Sequence, residues 1–242
     1  MEGTPKYSPI PEATIPKPLR DYLFYRKHHA GQFTPSAEIP IADTDNPDVL
    51  RKLISYMKLH PEQVYGVVYQ SRYNTVLVDP IQKLNGTFYP YERVLPTAGD
   101  GIVIVARKKG KFILLKQYRH ALRKAQYGFP RGYAEPGASP FENVRRELAE
   151  ELHAVIFHIP VFLGFLEPDS GLTSRCTEVF LTELEVYQPS IHHEGILEVR
   201  EASLEEVEDM IQSGRLSDGY TIGALTLWRL IKNMRKVHDV AN

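Results

Sequence analysis

Glu147, Glu150 and Glu151 stand three and four residues apart in a stretch with helical periodicity, so their carboxylates project from neighbouring positions of one helix. Carboxylates held that close repel one another and raise each other's pKa, and such a cluster calls for cations. Arg145 and Arg146 supply part of the compensation; a hard divalent ion such as Mg2+ would supply more. Taken alone, the pattern reads first as a solvated helix face with ordinary Glu–Arg pairs. The elements in front of it bear on the choice.

Those elements are a loop and a well-marked helix start. Gly132, Pro136 and Gly137 make a turn, since glycine takes backbone angles that other residues avoid and proline cannot continue a helix. Ser139 is a good N-cap, Pro140 occupies the first helical position, and Glu142 completes a Ser-x-x-Glu capping box. Phe141, Val144, Leu148 and Leu152 recur at helical spacing and form the face turned to the core.

The stretch from Gly132 to Val155 resembles the Nudix box, in which a Gly, a Glu, an Arg-Glu pair, a Glu-Glu pair and a second Gly follow at fixed intervals. Gly132, Arg146, Glu147, Leu148, Glu150, Glu151 and Ala154 fall at the spacing of that pattern, while Ala138 replaces its first Glu and His153 its second Gly. The resemblance implies a diphosphate hydrolase using Mg2+, with Mn2+ as a substitute. It implies Glu147, Glu150, Glu151 and the backbone carbonyl of Arg131 as metal ligands, with Glu150 also a candidate for orienting the attacking water. Gly132 and Arg146 would support the box, Arg146 by a charge-assisted hydrogen bond to Glu147 or Glu150.

Other segments resemble the ADP-ribose and nucleoside-diphosphate-sugar pyrophosphatase group of that superfamily. Gln117-Tyr118-Arg119 looks like a segment whose Arg reaches substrate phosphates; read without the resemblance, Arg119 is a surface charge at a strand end. Asp218-Gly219-Tyr220-Thr221 resembles the start of the group's last helix. The polar loop Pro168 to Arg175 lies where the group places substrate, which makes Arg175 a second substrate contact. A loop from Gln188 to Gly195 suits the group's extra glutamate, a base or metal ligand; Glu194 fits by position and Glu198 is the fallback. His192 and His193 have no third ligand at zinc spacing and read as surface histidines.

The remaining patterns set the architecture. Prolines 5, 9, 11, 16 and 18 read as an extended arm over residues 1–18. Leu19 to His29 is a short helical or extended segment, and Asn46-Pro47 opens a helix carrying Leu50, Leu53, Ile54 and Met57. Val64 to Gln70, Thr75 to Asp79 and Gly86 to Leu95 are strands. Gly101 to Arg107 and Lys111 to Tyr118 are apolar strands joined by a Lys108-Lys109-Gly110 turn, and Tyr127 to Gly132 is a short strand. Phe157 to Glu167 and Glu178 to Tyr187 are strands, and from Ser203 onward the chain reads as helical, with Ile222, Leu225, Trp228, Leu230 and Ile231 inward and Lys232, Arg235 and Lys236 suiting the helix end. The expected fold is α/β, a mixed β-sheet between helices. Residues 1–61 form an arm and helical elaboration, 62–96 an N-terminal antiparallel sheet and 97–242 the Nudix domain.

A hydrophobic share of 43% over 242 residues supports a sizeable core. A net charge of -1 gives no general attraction to nucleic acid or anionic membrane, so phosphate recognition must be local. Cys176 is the one cysteine, which forbids an internal disulfide, and no apolar run reaches the length of a membrane span; a cytoplasmic protein is the expectation. The partners expected are a small nucleotide and, by the resemblance, a second copy of the chain. The alternative to an enzyme is a weak or inactive nucleotide-binding module, because Ala138 replaces a box glutamate.

Overall fold

The computed structural model describes residues 10–240 except Pro136, Phe157, Ser190 and His192, and the side chains of His193 and of residues 234–240 also lie outside the description. The first half of the expected arm, the Pro136 part of the turn, the paired histidines and the cations Arg235 and Lys236 therefore fall outside it. Contacts divide the chain into two compact units, Met1–Thr97 with Gly171–Ser174, and Ala98–Ser170 with Arg175–Asn242.

In the first unit, helices α1 (Lys17–His28) and α2 (Pro47–Leu59) accompany strands β1 (Gly66–Gln70), β2 (Asn74–Gln82) and β3 (Phe88–Pro96), which form an antiparallel sheet in the order β1-β2-β3. The arm expected up to residue 18 is corrected here. Residues Glu12–Thr14 form a 3-10 turn and α1 begins at Lys17 with Pro16 as its cap. Pro18 falls in the first turn of that helix, where a missing N–H breaks no bond. Asn46 caps α2 by accepting the Asp48 N–H at 2.9 Å. A Cβ on Gly66 would lie 2.1 Å from the Pro18 carbonyl oxygen, so glycine is what lets β1 approach α1. The core gathers Leu19, Tyr22, Leu53, Tyr65, Leu77 and Leu95. Inside it, the buried Asp79 accepts the Tyr22 hydroxyl at 2.5 Å and a two-pronged contact from Arg93. Burial, then Asp79, pushes the Tyr22 pKa far up. The Pro168–Arg175 loop contributes to this unit through Leu172, whose carbonyl accepts the Val94 N–H at 2.8 Å.

In the second unit, β4 (Gly101–Lys108), β5 (Lys111–Arg119), β6 (Lys124–Gly128), β7 (Arg131–Tyr133), β8 (Val161–Leu166), β9 (Thr177–Glu183) and β10 (Ile196–Ala202) form one mixed sheet. Its order is β10-β5-β4-β9-β8, with β6 against β5 and β7 against β4, and β4 runs parallel to β9. Helices α3 (Pro140–Leu152), α4 (Leu204–Gln212) and α5 (Gly219–Val240) complete the unit. The alternation along β4 and β5 splits the core in two, as the pleat requires. Val103, Val105, Phe112 and Leu114 pack with Met210, Leu225 and Trp228 of α4 and α5. Ile102, Ile104, Ile113 and Leu115 pack with Val144, Leu148 and Leu152 of α3. This is the expected mixed sheet between helices.

Several boundaries moved. The short strand into Gly132 is two strands, separated at Phe129-Pro130. β9 stops at Glu183, short of Tyr187. Ile196–Ala202, between the expected loop and the expected helix from Ser203, is a strand; a bulge between Ile196 and Glu198 breaks the period-two pattern that would have shown it. Glu198, the fallback for a loop glutamate, therefore sits on β10, bonded to the Tyr127 hydroxyl at 2.9 Å. Leu230 is 57% exposed, and Leu227 packs against the core in its place.

Candidate functional site

α3 is held rigidly at both ends. The Ser139 hydroxyl accepts the Glu142 N–H while the Glu142 carboxylate accepts the Ser139 N–H at 2.7 Å. The Asn143 amide oxygen accepts the Glu135 N–H at 2.8 Å and ties the preceding loop to the helix. At the other end His153 takes a left-handed φ of 45°, where the pattern has glycine, and its N–H returns to the Ala149 carbonyl at 3.0 Å.

Between these caps the three glutamates separate. Glu147 and Glu151 are 5% and 1% exposed, whereas the Glu150 side chain is 43% exposed and pairs with Arg146 at 3.2 Å. The buried pair lies against β7. A Cβ on Gly132 would sit 2.1 Å from the Glu147 carboxyl carbon, so the missing side chain is the space the carboxylate occupies. Glu151 accepts the backbone N–H of Arg131, and its Oε2 is buried without a hydrogen-bond partner among the described residues. Burial pushes Glu147 up to about 7 against the pull of Arg146, with Glu150 and Glu194 adding to the rise. Burial, then repulsion from Glu147, pushes Glu151 up to about 8, with Arg119 and the Arg131 N–H pulling back.

The cations divide into engaged and open. Arg146 contacts Glu147 at 2.8 Å, Glu150 at 3.2 Å and Glu135 at 3.6 Å, and donates to the Tyr133 carbonyl at 2.5 Å. Burial works against its charge, but the three glutamates outweigh it and hold its pKa above the ordinary value. Glu135 thus brings a carboxylate to Arg146 although position 138 is alanine. Arg131 pairs with Asp218 at 3.0 Å beside the Tyr220 ring. Asp218 also accepts the Thr221 hydroxyl at 2.7 Å, and Thr221 accepts the Phe129 N–H at 2.9 Å, so the start of α5 clamps the segment entering Gly132. The Arg119 side chain makes no hydrogen bond or ion pair among the described residues, although its backbone belongs to the β5–β6 pairing. Burial, then Arg131, lowers its pKa, while Asp218, Glu151 and Glu194 support its charge.

Glu194 is exposed, in a left-handed conformation with φ 46°, and is coupled electrostatically to Glu147, Glu151 and Arg119. Its backbone carbonyl accepts the Gln117 amide at 2.9 Å. Arg175 is placed differently: it lies over the Tyr133 ring and donates to the Gly99 carbonyl at 3.4 Å. The structure thus brings together Arg119, the Arg131 backbone, Gly132, Glu147, Glu151 and Glu194, with Arg146 and Glu150 at the border. Sequence reasoning named the Gln-Tyr-Arg and Asp-Gly-Tyr-Thr segments without giving Gln117 or Asp218 a contact; a polar residue closing an apolar strand was the available signal for the first.

Among the described residues no three His, Cys, Asp or Glu side chains are gathered into a closed metal cage. Two buried carboxylates, one with a bare oxygen, in a cradle that a Cβ would fill, nevertheless fit a hard divalent cation. Mg2+ is commonly held by one or two protein carboxylates, with water and substrate phosphate completing its shell.

The NUDIX domain family model matches residues 95–221. The chain is 34% identical over 85 residues to the ADP compounds hydrolase NudE of Escherichia coli (strain K12), covering 35% of this chain and 46% of that protein. It is 25% identical over 166 residues to the ADP-ribose pyrophosphatase of Bacillus subtilis (strain 168), covering 67% of this chain and 89% of that protein. A crystal structure of an ADP compounds hydrolase shares the fold with a TM-score of 0.61 at 24% identity, over 70% of this chain and 91% of that one. With the box helix, its glycine cradle and this match over more than half its length, the chain belongs to the NUDIX domain family.

Proposed function

We propose that this protein hydrolyses the diphosphate bond of ADP-ribose or a related nucleoside diphosphate derivative, with Mg2+ as cofactor and Mn2+ as a substitute, releasing two phosphomonoesters. The observation that carries this reading is the buried pair Glu147 and Glu151, raised in pKa and, among the described residues, with one carboxylate oxygen lacking a partner and Arg119 without an ion pair beside it. A site built only to bind a nucleotide anion has no use for two buried carboxylates that repel each other and it. The names of the relatives, an ADP compounds hydrolase and an ADP-ribose pyrophosphatase, support the substrate class.

In this reading Glu147, Glu151 and the Arg131 carbonyl hold the divalent cation, with Glu150 as a further ligand from the exposed face. The bound cation would supply charge neutralisation at the diphosphate and a more acidic water. Glu194 accepts a proton from the attacking water, with Glu150 as the other candidate for orienting it. Water oxygen bonds to one phosphorus as the bridging P–O bond breaks, and the bridging oxygen leaves on the second phosphate. Arg119 offers a planar donor fork to the phosphates, and among the described residues no hydrogen bond or ion pair occupies that fork. Arg175 contacts the substrate beyond the diphosphate. Arg146 keeps Glu147 and Glu150 in place, and Gly132 makes room for Glu147. No helix among the described residues is long and apolar enough to cross a membrane; a homodimer acting in the cytoplasm completes the reading.

A second reading, a nucleotide-binding module of weak or no turnover, is favoured by Ala138, which leaves the box one carboxylate short. Glu135 beside Arg146 offsets that loss in part. A panel of nucleoside diphosphate derivatives with Mg2+, read as phosphate released after phosphatase treatment, separates the two. Turnover of ADP-ribose or a close analogue that collapses in Glu151→Gln is the expected result; binding without turnover across the panel would leave the second reading standing.

A further inference from the structure

Strand β5 is buried and apolar from Phe112 to Leu115 and then places Gln117 in the interior at 5% exposure. A buried amide is disfavoured unless it is hydrogen-bonded, so its partners indicate why it is there. Its Nε2 donates to the Glu194 carbonyl at 2.9 Å, and its Oε1 is buried with no hydrogen-bond partner among the described residues. A carbonyl only accepts, so the amide must present its NH2 to Glu194 and leave the oxygen unmatched. Gln126, the register partner of Gln117 on β6, is also buried but gives its amide to the Ser217 hydroxyl at 3.1 Å. Of these two glutamines, Gln117 is the one bonded to the loop.

That loop needs a clamp. Glu194 and Gly195 have φ of 46° and 78°, two left-handed residues in succession. A non-glycine residue holds such a conformation only when its surroundings impose it. The β5 side chain of Gln117 does so by bonding the Glu194 carbonyl at 2.9 Å.

We propose that Gln117 is a positioning residue, whose amide fixes the Glu194 backbone in the conformation that turns its carboxylate toward Glu147, Glu151 and Arg119. This rests on the reading of Glu194 as the base. The test is a double-mutant cycle of Gln117→Met and Glu194→Gln, assayed for ADP-ribose turnover with Mg2+; Gln117→Leu, which also lacks a donor, serves as the second variant should methionine impair folding. Gln117→Met is expected to lower kcat about 10- to 100-fold, the range for residues that orient a catalytic group, with KM unchanged within about twofold. Once Glu194 is already glutamine, removing the Gln117 amide is expected to cost less than about threefold. Equal losses in both backgrounds would overturn the proposal while leaving Glu194 as the base, as would an unchanged kcat in both Gln117 variants. Full activity of Glu194→Gln alone would overturn the role of Glu194 itself.

Discussion

Two places in this molecule bury carboxylates, and they are built to opposite ends. In the first unit Asp79 is enclosed by the Tyr22 hydroxyl and a two-pronged Arg93, so both of its oxygens are satisfied. In the second unit Glu147 has one arginine contact and Glu151 one backbone N–H, and among the described residues an oxygen of Glu151 has no hydrogen-bond partner. Burial of a charge is tolerated when it is paired and hydrogen-bonded, and is otherwise answered by proton uptake or by a cation. Asp79 is a structural tie between α1, β2 and β3; the glutamate pair has no such full set of partners among the described residues. Removing a carboxylate should therefore damage stability in one unit and activity in the other.

The largest effect is expected from Glu151→Gln, which should lower kcat about 1,000-fold or more, the several kcal/mol that a divalent cation contributes to charge stabilisation. Urea unfolding of the metal-free variant above about pH 8, where Glu151 is ionised, should show stability no lower than wild type, because an unfavourable buried charge has been removed; a clear loss would put Glu151 in the same class as Asp79. Asp79→Asn should lose about 3 to 5 kcal/mol of unfolding free energy, as broken buried ion pairs do. Turnover per folded molecule should change little in that variant, and a selective kcat defect would erase the distinction between the two places.

The pH dependence sharpens the contrast further. The unfolded chain ionises its glutamates near 4.5, whereas the folded chain holds protons on Glu147 up to about 7 and on Glu151 up to about 8. The folded state binds more protons in that window, so metal-free stability should fall by a few kcal/mol as pH rises from about 4.5 to about 8. Mg2+, which binds the ionised form, should cancel much of the fall. Melting temperatures in chelator and in Mg2+ across that range would show it, and parallel curves would contradict it. The smallest effect is expected from Gly132→Ala, whose methyl would strike the Glu147 carboxyl. A kcat loss of about 10- to 100-fold with weakened Mg2+ binding by calorimetry is expected; unimpaired Mg2+ binding would show that the cradle is not needed.

Much of the site was legible because its signals are local. The capping box at Ser139, the helical face of Val144, Leu148 and Leu152, and the spacing of Glu147 and Glu151 all depend on residues within a few positions of one another. The β10 strand was not legible, because a bulge at Ile196 to Glu198 spoils its alternation and its pairing partner lies on β5. The prolines near residue 16 were read as extended because proline is compatible with both an extended chain and a first helical turn; the packing of Gly66 against Pro18 accompanies the second choice. Leu230, expected inward, is exposed while Leu227 three residues earlier packs on the core, since neighbouring positions at the edge of a helix's apolar stripe are divided by what packs against them.

The sequence by itself determined the family, the helix that carries the carboxylates and the residue types able to bind a divalent cation, since these follow from spacing along one element. Tertiary structure decided which carboxylates are buried, that Arg131 is neutralised by Asp218 while Arg119 stays open, and that Gln117 reaches the backbone of Glu194. Those facts depend on residues brought together from as far as 87 positions away. Desolvation and pairing act on distance in space, and no local pattern encodes them.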